Sequence, residues 1–191
     1  MTAAIDRLTL HLVRHGETAG NAERRFQQPD VPLSDLGREQ AAAVAETIAS
    51  TTAAAVILAS DYARTMETAT IISARIGLPI VQEPALRERS WGIHRGRLYS
   101  EFDEATFALW RTWDHRIEGG ESWADVHVRV EGLLDRLAQQ PPAAELILVT
   151  HGGAMNVMLH HLGGGAGETF TLQPLENCAL RTVEIACSPH P

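Results

Sequence analysis

The chain has 191 residues, 45% of them hydrophobic, which is the length and composition of a globular domain with one substantial core. Its formal net charge of −8 at pH 7 argues against a surface that binds nucleic acid or acidic membrane over the whole protein. All 16 of its lysine-plus-arginine positions are arginine, whose planar guanidinium group binds phosphate through paired hydrogen bonds.

The N-terminal segment lacks the pattern of a secretory signal because Asp6 and Arg7 interrupt it, and no apolar stretch approaches the length of a membrane span. Cys178 and Cys187 provide neither a disulfide framework nor the spacing of metal ligands, so both are expected to be reduced. We therefore predict a cytoplasmic protein with neither a membrane nor a nucleic acid as its partner, and we leave a homodimer open.

Short apolar segments alternate with helical patterns along the first half of the chain. The elements predicted there are strands over 8–13, 56–59 and 79–81, with helices over 35–49 and between Asp61 and Gly77. Ser34 is expected to cap the first helix and Ser60 or Asp61 the second, which Gly77 ends.

Residues 91–123 differ from this pattern because they contain all four tryptophans and no clear strand. The spacing of Phe102, Phe107 and Trp110 predicts a helix, which a loop at Gly119-Gly120 follows. We expect this segment to form a small helical cap inserted into the domain.

The remaining predicted elements lie after this insertion. They are a helix from Ser122 that ends before Pro141, a strand over 146–149, a helix over 153–162, a glycine-rich turn at 163–167 and a last strand over 178–185. Strands that alternate with helices of this length predict an α/β fold of three layers, α/β/α, with a mostly parallel central sheet. Because there is no repeat and no long linker, we expect residues 1–191 to form one domain with the cap inserted over about 91–123.

Two distant strands of this predicted sheet end in a histidine followed by glycine. Arg14 and His15 leave the first strand, and His151 leaves the strand at 146–149. Arg64 lies in the first turn of the helix after the second strand, and Glu88 follows the third strand. Because ligands of open α/β sheets bind at the carboxyl ends of the strands, we expect these five residues to form one site. They comprise the cations, the nucleophile and the acid that cleavage of a phosphate ester requires.

These residues belong to a longer ordered set, and on that set the chain resembles the histidine phosphatase superfamily, the phosphoglycerate mutase-like proteins. The matching residues are Leu12 to Thr18 with Asn21, Leu33 and Ser34 with Gly37, Ser60 with Arg64, Thr65 and Thr68, Leu86 and Glu88 with Gly92 and Gly96, Gly120 to Ser122, and Val149 to Gly153. The resemblance extends from about residue 8 to 185. The occurrence of all these pieces in order is highly specific, although Arg-His-Gly alone is a weak signal.

The resemblance implies that His15 becomes phosphorylated and that Glu88 is the proton donor. The groups it places around the phosphoryl oxygens or the substrate are Arg14, Asn21, Gln27, Arg64 and His151, to which the helix start at Gly152 adds backbone N–H donors. The cap is then expected to lie over the active site. Because arginines stabilise the phosphoryl charge, no metal ion or other cofactor is expected.

The function predicted is a phosphomonoesterase that acts on a small anionic phosphorylated metabolite. A phosphoglycerate mutase is the first alternative, but mutases generally carry a longer insertion and a substrate-binding lysine, whereas 62 residues separate Glu88 from His151 here and the chain has no lysine. A non-catalytic sensor of a phosphorylated ligand is the second alternative. A metal-dependent hydrolase built from His11, His15 and His151 is disfavoured because the arginines would repel a cation.

Three further expectations concern residues outside this set. Six arginines between 87 and 116 are expected to form an anion-attracting rim, and His94-Arg95 stands where many relatives have Trp-Glu. His11 is expected to be structural. His160 and His161 are expected to be the ordinary end of a helix, where positive charge is favoured.

Overall fold

The computed structural model describes residues 5–165 and 167–187, so residue 166 of the predicted glycine-rich turn lies outside the described residues, as do 1–4 and 188–191. Its five strands are β1 (Arg7–Arg14), β2 (Val56–Ala59), β3 (Ile80–Gln82), β4 (Glu145–Thr150) and β5 (Leu180–Ala186). They form one sheet in the order β3-β2-β4-β1-β5, in which β5 is antiparallel to β1 and the other neighbouring pairs are parallel. The predicted mostly parallel α/β sheet is confirmed.

Six α-helices surround the sheet in the described part of the chain. They are α1 (Ala19–Ala22), α2 (Asp35–Thr51), α3 (Ala63–Ile76), α4 (Glu104–Arg111), α5 (Trp123–Gln139) and α6 (Gly152–Leu162). Ser34 caps α2 as predicted, but the predicted side-chain cap of α3 is wrong, because its N-cap is Tyr62 and no side chain makes a capping bond. The reason is tertiary: the Asp61 carboxylate pairs with Arg87, and the Ser60 hydroxyl bonds to His151.

The alternation of side chains along β1 and β4 produces the three layers. Leu10 and Leu148 point to a core that α5 and α6 cover, whereas Val13 and Val149 point to a second core covered by α2 and α3. All four side chains are buried. Since β1 and β4 are parallel neighbours, with Arg14 paired to Thr150, the residues that follow the two strands lie side by side at one edge of the sheet.

The segment 91–123 contains α4 and two short 3₁₀ turns, Gly92–His94 and Tyr99–Glu101. Its apolar side chains form a cluster with Phe26, and the members from the segment are Trp91, Tyr99, Phe102, Phe107, Trp110 and Ile117. Arg89 fixes the segment from below: its three guanidinium nitrogens donate to the carbonyl oxygens of Trp110, His115 and Glu121. The segment is thus packed on a buried cation and on the loop that carries Phe26.

The predicted rim of six arginines is wrong for four of them. Arg89 is buried but also lines the cavity, whereas four others form ion pairs and do not line it; these pairs are Arg87–Asp61, Arg97–Glu101, Arg111–Glu104 and Arg116–Asp125. Arg95 lines the cavity and forms no ion pair with the described residues. Within those residues no helix is both long and apolar enough to cross a bilayer, and the two cysteines are free.

Candidate active site

The predicted site residues converge on one cavity of about 410 Å³ at the carboxyl ends of the parallel strands. Those that line it are Arg14, His15, Asn21, Gln27, Arg64, Glu88 and Gly152. His151 lies behind this wall: its ring centroid is 5.1 Å from that of His15, and its side chain is fully buried. The structure therefore brings together every residue that the sequence placed at the site, with His151 in the layer below the surface.

The His15 side chain lines the cavity, and one of its ring nitrogens is bound to the backbone. Nδ1 lies 2.7 Å from the carbonyl oxygen of Gly16. Because a carbonyl oxygen only accepts hydrogen bonds, Nδ1 carries the proton and Nε2 keeps its lone pair. The main chain of His15 is fixed as well, since its N–H donates to Thr150 and its carbonyl oxygen accepts from Asn177. Nε2 is thus the atom that can attack an electrophile.

The environment of His15 favours the neutral imidazole. Burial, followed by the positive charges of Arg64 and Arg14, lowers the pKa of His15 well below its ordinary value. Burial also lowers the pKa of His151, and Arg64 and His15 lower it further. A neutral imidazole is the nucleophilic form, so His15 is poised for attack at neutral pH.

A histidine NMR titration is expected to show this protonation state directly. Because the pKa of His15 is lowered, its ring should stay neutral as the pH falls through about 6.5, the ordinary histidine value. The resonance is assigned by its disappearance in His15→Ala. Titration at or above the ordinary value would contradict the described burial and charge environment.

Three buried nitrogens near His15 have no hydrogen-bond partner among the described residues: Nε of Arg14, Nε of Arg64 and Nδ1 of His151. The other ends of these side chains are anchored, since Arg14 donates to the carbonyl oxygen of Leu175 and Arg64 to that of Gln28. Burial lowers the pKa of Arg64 to about 10, so its guanidinium remains charged at neutral pH. Buried polar groups are normally paired, so these unpartnered nitrogens, together with the positive charge of Arg14 and Arg64 on the cavity wall, favour an anionic ligand.

The Glu88 carboxylate faces the same space and is fixed by the backbone. It accepts hydrogen bonds from the N–H groups of Arg89 at 2.9 Å, Gly153 at 2.9 Å and Ala154 at 3.2 Å. The N-terminus of α6, expected to donate to the phosphoryl group, therefore holds this carboxylate. A Cβ at Gly153 would lie 2.3 Å from Oε1 of Glu88, so glycine is required for this close approach.

The two amide side chains of the site are both oriented by Thr18. Its hydroxyl donates to Oε1 of Gln27 at 2.8 Å, and its backbone N–H donates to Oδ1 of Asn21 at 3.2 Å. Thr18 also caps α1, the short helix that carries Asn21. Since the amide oxygens are engaged, the NH₂ groups of Asn21 and Gln27 remain as donors for a ligand.

Sequence reasoning missed part of the cavity wall. The lining residues that it did not name for the site are Arg25, Tyr62, Trp91, Tyr99, Asn156 and the segment 172–175. Asn156 holds that segment in place, because its side chain bonds to both the N–H and the carbonyl oxygen of Gln173. The 172–175 segment has no local motif, and only the tertiary contact with α6 brings it to the site.

His11 lies outside the site, as expected for a structural histidine. Its two ring nitrogens lie 3.0 Å from Oγ1 of Thr182 and 3.1 Å from Oε2 of Glu145. Both nitrogens are thus engaged on the sheet, and the described structure does not group His11 with His15 and His151 as metal ligands.

Known proteins match this chain over nearly its whole length. "Probable phosphoglycerate mutase GpmB" from Cronobacter sakazakii is 36% identical over 189 residues, 95% of this chain and 87% of that protein. A solved mycobacterial glucosyl-3-phosphoglycerate phosphatase is 28% identical with a TM-score of 0.82 and covers 93% of this chain and 90% of its own, and it has also been solved in complex with VO3. Bacillus stearothermophilus YhfR is 26% identical with a TM-score of 0.82, over 92% of this chain and 90% of that one.

A family model defines the group to which these relatives point. The model of the histidine phosphatase superfamily, branch 1, matches residues 10–188. The resemblance read from the sequence is therefore confirmed, and the chain belongs to the histidine phosphatase superfamily, branch 1.

Proposed function

We propose that the chain is a metal-independent phosphomonoesterase that hydrolyses a small phosphorylated metabolite through a phosphohistidine intermediate. The observation that carries this proposal is that Arg14, Arg64 and His15 line one cavity, with Nε2 of His15 left free by the hydrogen bond that holds Nδ1. A phosphoryl group placed there meets fixed positive charge on its oxygens and a nucleophile on phosphorus.

In the first step, Nε2 of His15 forms a bond to phosphorus while the bond from phosphorus to the ester oxygen breaks. The departing oxygen takes a proton from the Glu88 carboxyl group and leaves as an alcohol. Arg14 and Arg64 stabilise the charge on the phosphoryl oxygens, and His151 adds a donor from below. The hydrogen bond from Nδ1 of His15 to Gly16 stabilises the positive charge that develops on the ring.

In the second step, water attacks phosphorus and the bond from phosphorus to Nε2 breaks. Glu88, now ionised, accepts the proton from this water, and inorganic phosphate leaves. His15 returns to its neutral form and Glu88 to its protonated form. The residues of the site thus complete a cycle in which water is the final acceptor.

Chelation is expected to leave the phosphatase rate unchanged, since guanidinium groups supply the positive charge that a divalent ion provides in metal-dependent phosphatases. The measurement is phosphate release from wild type with and without EDTA. Vanadate and inorganic phosphate should inhibit competitively, because both present oxygens to Arg14 and Arg64. Loss of activity with EDTA and its recovery with a divalent ion would instead support a metallohydrolase.

The position of Arg95 on the cavity wall favours a substrate whose alcohol portion carries a second negative charge. Its Nη2 lies 3.1 Å from Oγ of Ser90 and 3.4 Å from Oη of Tyr62, both uncharged, and it forms no ion pair with the described residues. Arg25 lines the same cavity. A carboxylate or second phosphate on the leaving group would neutralise this charge.

We expect wild type to prefer 3-phosphoglycerate over glycerol 3-phosphate, which bears a hydroxymethyl group in place of the carboxylate. Arg95→Gln should reduce that preference by about tenfold, the effect of removing one hydrogen bond to a charged group. Arg111→Gln is the matched control, because Arg111 pairs with Glu104 on the surface. An unchanged ratio of kcat/KM in Arg95→Gln would remove Arg95 from substrate recognition.

A phosphoglycerate mutase is the second candidate, and the names of the GpmB relatives favour it. A mutase passes the phosphoryl group from His15 to a phosphoglycerate hydroxyl, whereas a phosphatase passes it to water. Phosphate release that equals loss of 3-phosphoglycerate supports the phosphatase. Formation of 2-phosphoglycerate faster than phosphate release supports the mutase, and binding of the phosphorylated ligand without any turnover supports the sensor.

A further inference from the structure

A second group of polar side chains lies between α5 and α6, away from the cavity. His127 and Glu131 are one helical turn apart on α5, and His161 is in the last turn of α6. Nε2 of His127 lies 3.0 Å from Nδ1 of His161. One ligand atom from each of the three residues lies within 4.8 Å of the others, the one such group among the residues that the structure describes.

A hydrogen bond between the two imidazoles does not explain why the Glu131 carboxylate lies beside them. Its Oε2 lies 3.9 Å from Nδ1 of His127, which is beyond hydrogen-bond distance. The Glu131 carboxylate thus lies beside the imidazole pair without a hydrogen bond to His127.

We propose that His127, Glu131 and His161 bind a zinc ion. Tetrahedral zinc with Zn–N bonds of about 2.0–2.1 Å places two nitrogens about 3.3 Å apart, close to the observed separation of the two rings. Glu131 is 45% exposed, so a rotation of its side chain can bring an oxygen to the third position. Two imidazoles with one carboxylate suit zinc rather than magnesium or calcium, and water takes the fourth position.

The ligands are held in place by packing on two helices. The His127 ring contacts that of Trp113 at a centroid distance of 5.4 Å and that of His161 at 5.0 Å. His161 is eight residues after Gly153, so the site lies roughly 12 Å along α6 from the first of the amides that hold Glu88. The ion would therefore join α5 to α6 without touching the reacting phosphoryl group.

The test is zinc binding to the full-length protein after removal of metals with EDTA and dialysis. We expect calorimetry to show one saturable zinc site and thermal unfolding to show a higher Tm with zinc, because a ligand of the folded state stabilises it. His127→Gln and His161→Gln should each weaken zinc binding by at least about tenfold and abolish the Tm shift. Magnesium should produce neither effect.

Two controls separate this site from the active site. His115→Gln, which changes a histidine outside the cluster, and His15→Ala, which removes the proposed nucleophile, should bind zinc as wild type does. Circular dichroism establishes that the cluster variants are folded. Wild type without saturable zinc binding, or binding that is lost in His15→Ala but kept in His161→Gln, would overturn the proposal. The phosphatase rate of metal-free wild type does not depend on whether zinc binds at His127, Glu131 and His161, so the proposed function is tested separately.

Discussion

His15→Ala is expected to lower kcat for 4-nitrophenyl phosphate by about 10⁴–10⁶-fold, the range seen when a covalent nucleophile is removed. The variant loses Nε2. Among the described residues, no other histidine lines the cavity with Arg14 and Arg64. The fold should survive, because the backbone bonds of His15 to Thr150 and Asn177 do not involve the ring. The measurement is steady-state phosphate release, with circular dichroism as the test of folding.

His11→Gln is the matched control for this experiment. His11 is another buried histidine of the same strand region, but its ring bonds to Thr182 and Glu145 on the sheet. The variant should be less stable and yet retain its kcat while folded. A folded His15→Ala protein with more than a few per cent of the wild-type rate would contradict the nucleophile assignment.

Glu88→Gln is expected to slow the hydrolysis of alkyl phosphates by about 10²–10⁴-fold, the usual contribution of a general acid. The loss should be much smaller for 4-nitrophenyl phosphate, because nitrophenolate leaves without protonation. Three backbone N–H groups donate to the two carboxylate oxygens of Glu88. Glutamine replaces one of these oxygens with an NH₂ group, which cannot accept, so the variant cannot keep all three bonds. The measurement is kcat/KM for glycerol 3-phosphate and for 4-nitrophenyl phosphate.

Glu104→Gln serves as the control for this variant, because Glu104 is exposed and pairs with Arg111 on α4. Its rates should match those of wild type on both substrates. Equal losses on the two substrates in Glu88→Gln would mean that Glu88 positions the substrate and does not protonate the leaving oxygen.

The sheet and the meeting of the two histidines were predictable because both depend on local patterns. Apolar periods define β1 and β4, and parallel strands of one sheet present their carboxyl ends at one edge. The structure makes these strands neighbours, with Arg14 in register with Thr150, so His15 and His151 follow adjacent positions.

Other features depend on contacts between distant segments and have no local signal. Arg89 looks like a surface cation in the sequence, but its donors bond to three carbonyl oxygens of the segment 91–123. The bonds from the amides of Gly153 and Ala154 to Glu88 have no local signal either. His160 and His161 lie in the last turn of α6 as predicted, but the contact of His161 with His127, 34 residues away, is a tertiary feature.

Locating the phosphoryl group on the enzyme during turnover is the most direct test of the phosphohistidine mechanism. After rapid quenching under alkaline conditions, which preserve phosphohistidine, mass spectrometry of the peptides should place one phosphoryl group on His15. It should be on Nε2, since Nδ1 is bound to the carbonyl oxygen of Gly16. A phosphoryl group on another residue, or rapid turnover with no phosphoenzyme at any quench time, would contradict the central claim.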